Sequence, residues 1–129
     1  MIAFETVRAQ RIVADSTSLD GLHPPVGGVA LRLAPDEVLL IIDEERFDGN
    51  VADPGAIVVD ESGLGGVLLD REGFAHVIAP HVDWAIPTAR PALAQGLVAG
   101  VPCKLWFDED DDVLLLCSTS HVHELEARL

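Results

Sequence analysis

The chain has 129 residues, 49% of them hydrophobic, enough for a single domain (1–129) that buries roughly two-thirds of the surface its unfolded form exposes. It carries 22 acidic against 8 basic residues, and the bases, Arg8, Arg11, Arg32, Arg46, Arg71, Arg90, Lys104 and Arg128, are scattered along it. A net charge of −14 without a basic patch argues against nucleic acid and anionic membrane surfaces as partners, because phosphate binding needs clustered cations.

Aromatic residues are only 5% and Tyr is absent, so the core is expected to be aliphatic. No run approaches the ~20 apolar residues of a membrane span, and the opening "MIAFETVRAQR" lacks the basic start and apolar centre of a signal peptide. A soluble, cytoplasmic protein is expected, its acidity serving solubility or, alternatively, a basic partner surface.

In chain order, Phe4 to Val13 reads as a strand and Asp15 to Pro25 as a connection rich in Ser, Thr, Gly and Pro. Gly28 to Leu33 and the aliphatic run Val38 to Ile42 flank Pro35-Asp36 and read as a hairpin. The acidic stretch Asp43 to Arg46 either begins a helix or lies in a loop. Asp48 to Gly55 is nearly all turn-forming residues and reads as the most mobile or insertable segment.

Ile57 to Val59 and Val67 to Leu69 flank Asp60 to Gly66, whose Gly63, Gly65 and Gly66 permit positive φ, and a further hairpin is expected there. Asp70 then reads as the cap of a helix carrying Phe74, Val77 and Ile78 on one side and stopped by Pro80. Ile86 to Pro91 reads as a connector.

The sharpest pattern runs from Leu93 to Leu129. "CKLWF" and "VLLLC" flank five carboxylates, Asp108 to Asp112, the pattern of a hairpin with a solvated tip. Centring the turn on Asp110 pairs Cys103 with Cys117, Leu105 with Leu115 and Phe107 with Val113 on one face. Lys104 and Trp106 meet Leu116 and Leu114 on the other. At Ser120, a plausible N-cap, the period turns helical, with Val122, Leu125 and Leu129 recurring. Two strand-strand-helix units, Ile57 to Ala79 and Leu97 to Leu129, imply an α+β fold in which an antiparallel sheet packs against helices.

Candidate chemistry is sparse. A calcium loop starting at Asp108 requires Gly where Val113 stands and Glu where Thr119 stands, so the acidic run reads as a solvated turn. Cys103 and Cys117 lie within reach of a cross-strand disulfide, yet two buried reduced thiols suit the expected compartment better. Neither thiol shows a zinc-binding spacing, and His121 and His123 point different ways on a helix. His76, His81 and Asp83, taken with Ser62 as a hydrolytic set, lack a GxSxG elbow. Gly63, Gly65 and Gly66 form neither GxGxxG nor a P-loop. No catalytic residue and no metal ligand is therefore assigned, and no cofactor-binding residue is identified.

Three stretches, "LRLAPDEVLLI" from Leu31, "VVDESGLGGVLL" from Val58 and "GLVAGVPCKLWFDEDDDVLLL" from Gly96, resemble the gamma subunit of heterotetrameric sarcosine oxidase. That family is related to the folate-binding domain of the glycine-cleavage T-protein. Ser120 takes the place of the serine that opens its last helix. The segment before Gly28 has no counterpart, and Val122, Leu125 and Leu129 stand where the family tends to have aromatics.

The resemblance implies a folate-binding-domain-like α+β subunit with no cofactor of its own. FAD, FMN, NAD and tetrahydrofolate belong to the partner subunits, which oxidise sarcosine's methyl group. Its expected partner is the larger oxidase subunit, and alone it is expected to expose an apolar patch or to hide it in a homo-oligomer. The competing expectation is a stand-alone folate-binding or one-carbon-transfer protein of the related fold, which needs a pocket with a carboxylate for the pterin's donors.

Overall fold

A computed structural model describes residues 2–24, 27–42 and 51–129. The expectations for Asp43 to Arg46, and for the start of Asp48 to Gly55, lie outside them. The described residues mix antiparallel strands with few helices, and they form two compact units, Val7–Ser62 and Met1–Thr6 with Gly63–Leu129.

In the Val7–Ser62 unit, β1 (Glu5–Val13), β2 (Val29–Ala34) and β3 (Glu37–Ile41) lie in the order β2-β3-β1, with the first half of β4 (Ile57–Leu69) next to β1. The registers Ile12↔Val38 and Leu31↔Leu39 are antiparallel. The expected strand and hairpin are thus present. Ile12, Val38, Leu40 and Ile42 form the core on one face with Leu19, while Leu31 and Leu39 are fully buried on the other. Burial on both faces explains why Val38 to Ile42 is apolar without alternation.

Leu19 belongs to a short helix, α1 (Ser16–Asp20), within a stretch read from sequence as irregular. Asp15 caps it, its carboxylate accepting from the Ser18 backbone N–H at 2.9 Å. That carboxylate titrates below its ordinary range because the Ser18 backbone and hydroxyl both donate to its charged form. The segment's Ser and Asp residues cap a single turn, and the buried Leu19 anchors it.

In the other unit, the second half of β4 pairs with β7 (Val113–Ser118), which pairs with β6 (Val101–Phe107), which pairs with β5 (Ala92–Val98), all antiparallel. The register inferred from the acidic tip is the one observed, with Cys103 opposite Cys117, Leu105 opposite Leu115 and Phe107 opposite Val113. Phe74, Ile78, Leu105, Phe107, Leu115 and Leu125 dominate an otherwise aliphatic core, in which the Phe74 and Phe107 rings meet edge to face at 5.4 Å.

Three expectations need correction. The turn predicted at Asp60 to Gly66 does not form, because Ile57–Leu69 is one continuous strand. Its glycines take no positive φ, and Gly65 serves instead for close approach: a Cβ there would lie 2.5 Å from Val122 Cγ2. The first strand-strand-helix unit is therefore a strand followed by a helical segment.

That segment starts where expected, with the Asp70 carboxylate accepting from the Gly73 N–H at 2.7 Å. It is not one α-helix. A turn of α2 (Arg71–Gly73) passes into a π-turn over Phe74–Ile78 and a 3-10 turn over Ala79–His81 that contains Pro80. Widening the turn still buries both Phe74 and Ile78.

The last helix, α3 (Thr119–Arg128), is capped by Ser118 rather than Ser120, since the Ser118 hydroxyl accepts from the Ser120 N–H and Ser118 has extended backbone. Leu125 is its fully buried anchor, and Val122 and Leu129 pack beside the core as expected.

Candidate interaction surface

The residues with chemical potential are dispersed. His76 Nδ1 hydrogen-bonds the Glu72 carbonyl at 2.8 Å, which occupies it structurally. His81, His123 and Asp83 are exposed, and Ser62 is an exposed residue of β4 in the other unit. Among the described residues no three His, Cys, Asp or Glu side chains gather to hold a metal ion.

The acidic tip is built rather than merely solvated. Asp108 Oδ1 accepts from the backbone N–H groups of Asp110 and Asp112 at 2.8 and 3.0 Å, closing the turn on itself. Asp111, at φ 64, accepts from Arg90 Nε at 2.7 Å, and the same guanidinium lies 4.6 Å from the centre of the Phe107 ring. Glu109 and Asp110 remain exposed.

Cys103 and Cys117 are buried free thiols. With Gly96 and Gly65 they form one cross-strand row on the core face, Gly96–Cys103–Cys117–Gly65. This row of small residues makes room at both ends. Val122 of α3 sits over Gly65, and the Trp84 indole sits over Gly96, where a Cβ would lie 2.6 Å from the ring. Trp84 Nε1–H also donates to the Leu97 carbonyl at 2.8 Å, and the Ala99 N–H donates to the His81 carbonyl at 3.0 Å. Burial pushes the Cys103 thiol up to about 12, with the neighbouring Cys117 adding to the shift, and burial likewise raises Cys117. Thiols held protonated in this way are poor nucleophiles and poor metal ligands.

The opposite face of the same four strands is different. Across it runs the row Leu93–Trp106–Leu114–Leu68, four large apolar side chains from four successive strands. Leu68 is 68% exposed, and the other three are half-buried. One row along stand Gln95, Lys104 and Leu116, and beyond them Leu97 opposite Pro102, with Leu97 51% exposed. Gln95, Lys104, Leu116, Leu97 and Pro102, with Leu64, Ser118 and His121 of α3, line a groove of about 330 Å³.

Lys104, the chain's one lysine, has no ion-pair partner among the described residues, although there are 22 acids in the sequence. Nor does any described group accept from the Trp106 indole N–H. The pairing of Lys104 and Trp106 with Leu116 and Leu114 follows from the sequence pattern. Leu93 and Leu68 were missed, because their strands were misread or left unassigned and only the cross-strand register aligns them.

In this unit the antiparallel sheet thus carries its core on one face and a partly exposed apolar row on the other. Set against the models of known protein families, the curated proteins and the solved structures, the chain finds no match. Among the described residues no helix is long and apolar enough to cross a membrane.

Proposed function

We propose that this chain is a noncatalytic, gamma-like accessory subunit of a sarcosine oxidase-type flavoenzyme. The observation that carries the reading is apolar surface left uncovered on a strongly acidic chain. Leu68 and Leu97 in one unit, and Ile57, Val58 and Val59 in the other, are 44–68% exposed. Burying the exposed part of each such side chain against a partner is worth ~1–2 kcal/mol, a drive to association.

The resemblance supplies the partner, a larger subunit that holds the flavins, NAD and folate. On this reading the chain folds like a folate-binding domain and lends its sheet to packing. The stand-alone folate reading draws less support, because the groove beside Lys104 is lined by no carboxylate to accept from a pterin.

Co-expression with the large flavin-dependent subunit tests the proposal. The two chains are expected to elute together at a fixed ratio, and the chain alone to bind an apolar dye or self-associate. A chain that stays monomeric, ignores the dye and never co-elutes refutes it. Calorimetry with tetrahydrofolate tests the alternative, which predicts heat at micromolar concentrations.

A further inference from the structure

We infer that the partly exposed Leu93–Trp106–Leu114–Leu68 row, on the face of the β4-β7-β6-β5 sheet opposite the Phe74–Leu125 core, is the docking surface, and that it takes a protein partner presenting an apolar strip flanked by a carboxylate. This rests on the accessory-subunit reading and specifies which surface carries it. The Leu93–Trp106–Leu114–Leu68 row supplies a contiguous apolar strip. Trp106 stands inside the row with its indole N–H unused among the described residues, and Trp is the side chain most often found at the energetic centre of interfaces.

Charge specifies the partner's chemistry. Lys104 lies on the same face, in the row next to Trp106, at the groove of about 330 Å³. The described arginines engage carboxylates or other groups, whereas no described carboxylate pairs with Lys104, on a chain of net charge −14. A cation with no carboxylate partner among the described residues, beside an apolar row, fits an Asp or Glu side chain entering the groove from the partner. At the strip's other side the exposed Glu109 and Asp110 of the hairpin tip call for basic groups opposite them. A second copy of the chain carries the same net charge of −14, and two such acidic chains repel, so the partner is a different protein.

The test uses the full chain co-expressed with the large oxidase subunit, with dissociation constants measured by titration. Trp106→Ala is expected to weaken binding about 30-fold or more, and Leu68→Glu about tenfold or more. Lys104→Gln is expected to weaken it about tenfold, and Lys104→Glu further, with a shallower salt dependence in both. Val58→Glu, which lies on the other unit, serves as the comparison, and thermal melts confirm that each variant folds.

Loss in the three face variants with Val58→Glu unaffected supports the inference. Wild-type binding in all three, or loss confined to Val58→Glu, overturns it while leaving the subunit reading intact. If the wild type does not assemble with the oxidase subunit at all, the subunit reading falls and this inference with it. A homodimer of the isolated chain that Leu68→Glu dissolves overturns the choice of a different protein as occupant.

Discussion

Raising the pH should destabilise this protein through its two buried thiols, and the composition makes the effect unusually clean to measure. With no Tyr and one Lys in the sequence, few side chains besides Cys103 and Cys117 change charge between pH 8 and 10. Burial raises the folded-state pKa of Cys103 to about 12, whereas the unfolded thiol ionises near about 8.5. The unfolded chain therefore releases protons that the folded chain retains, and stability falls as pH rises from the unfolded towards the folded value. At pH 10 the loss from Cys103 alone is about 2 kcal/mol, roughly 1.4 kcal/mol for each unit above the unfolded pKa. Cys117, also raised by burial, adds in the same direction. The measurement is urea unfolding at pH 7.5 and pH 10 under reductant, in the wild type and in Cys103→Ala/Cys117→Ala. The wild type should lose at least about 2 kcal/mol more than the double variant. Equal losses would show that the thiols are not held protonated by burial, and would refute the reasoning.

Three further substitutions probe the devices that shape the sheet. Gly65→Ala should cost about 1–3 kcal/mol by driving a Cβ into Val122, and Val122→Ala in the same chain should recover most of it; additive costs in a double-mutant cycle would count against the contact. Ala99 sits at φ 49 beside Gly100 at φ 81 in the turn that joins β5 to β6, so Ala99→Gly should stabilise by about 1 kcal/mol, and an unchanged or lower melting temperature would contradict that strain. Asp70→Ala should cost about 1 kcal/mol by freeing the Gly73 N–H, while Asp70→Asn, which keeps an acceptor, should cost far less in the same melt.

The terminal hairpin was legible because two independent signals agree there. The acidic run marks the turn, and strict alternation on both sides then leaves one register, with Cys103 against Cys117. Val38 to Ile42 and the cap at Asp70 were legible for similarly local reasons. The stretch Asp60 to Gly66 was not. Its glycines carry the same symbol whether a chain turns or whether another side chain must come close, and only Val122, 57 positions away from Gly65, distinguishes the two. The π-turn was hidden for the same reason, since Phe74 and Ile78 fit helical spacing and the choice of turn depends on what they pack against.

The candidate surface divides along the same line. By itself the sequence determined an acidic, aliphatic chain mixing antiparallel strands with few helices and a hairpin that sets Cys103 against Cys117, because composition, alternation and turn chemistry are properties of neighbours along the chain. Tertiary structure alone decided that Leu93, Trp106, Leu114 and Leu68 stand side by side, and that no described carboxylate pairs with Lys104 beside them. Those relations arise from cross-strand pairing, where residues more than 40 positions apart come within side-chain reach.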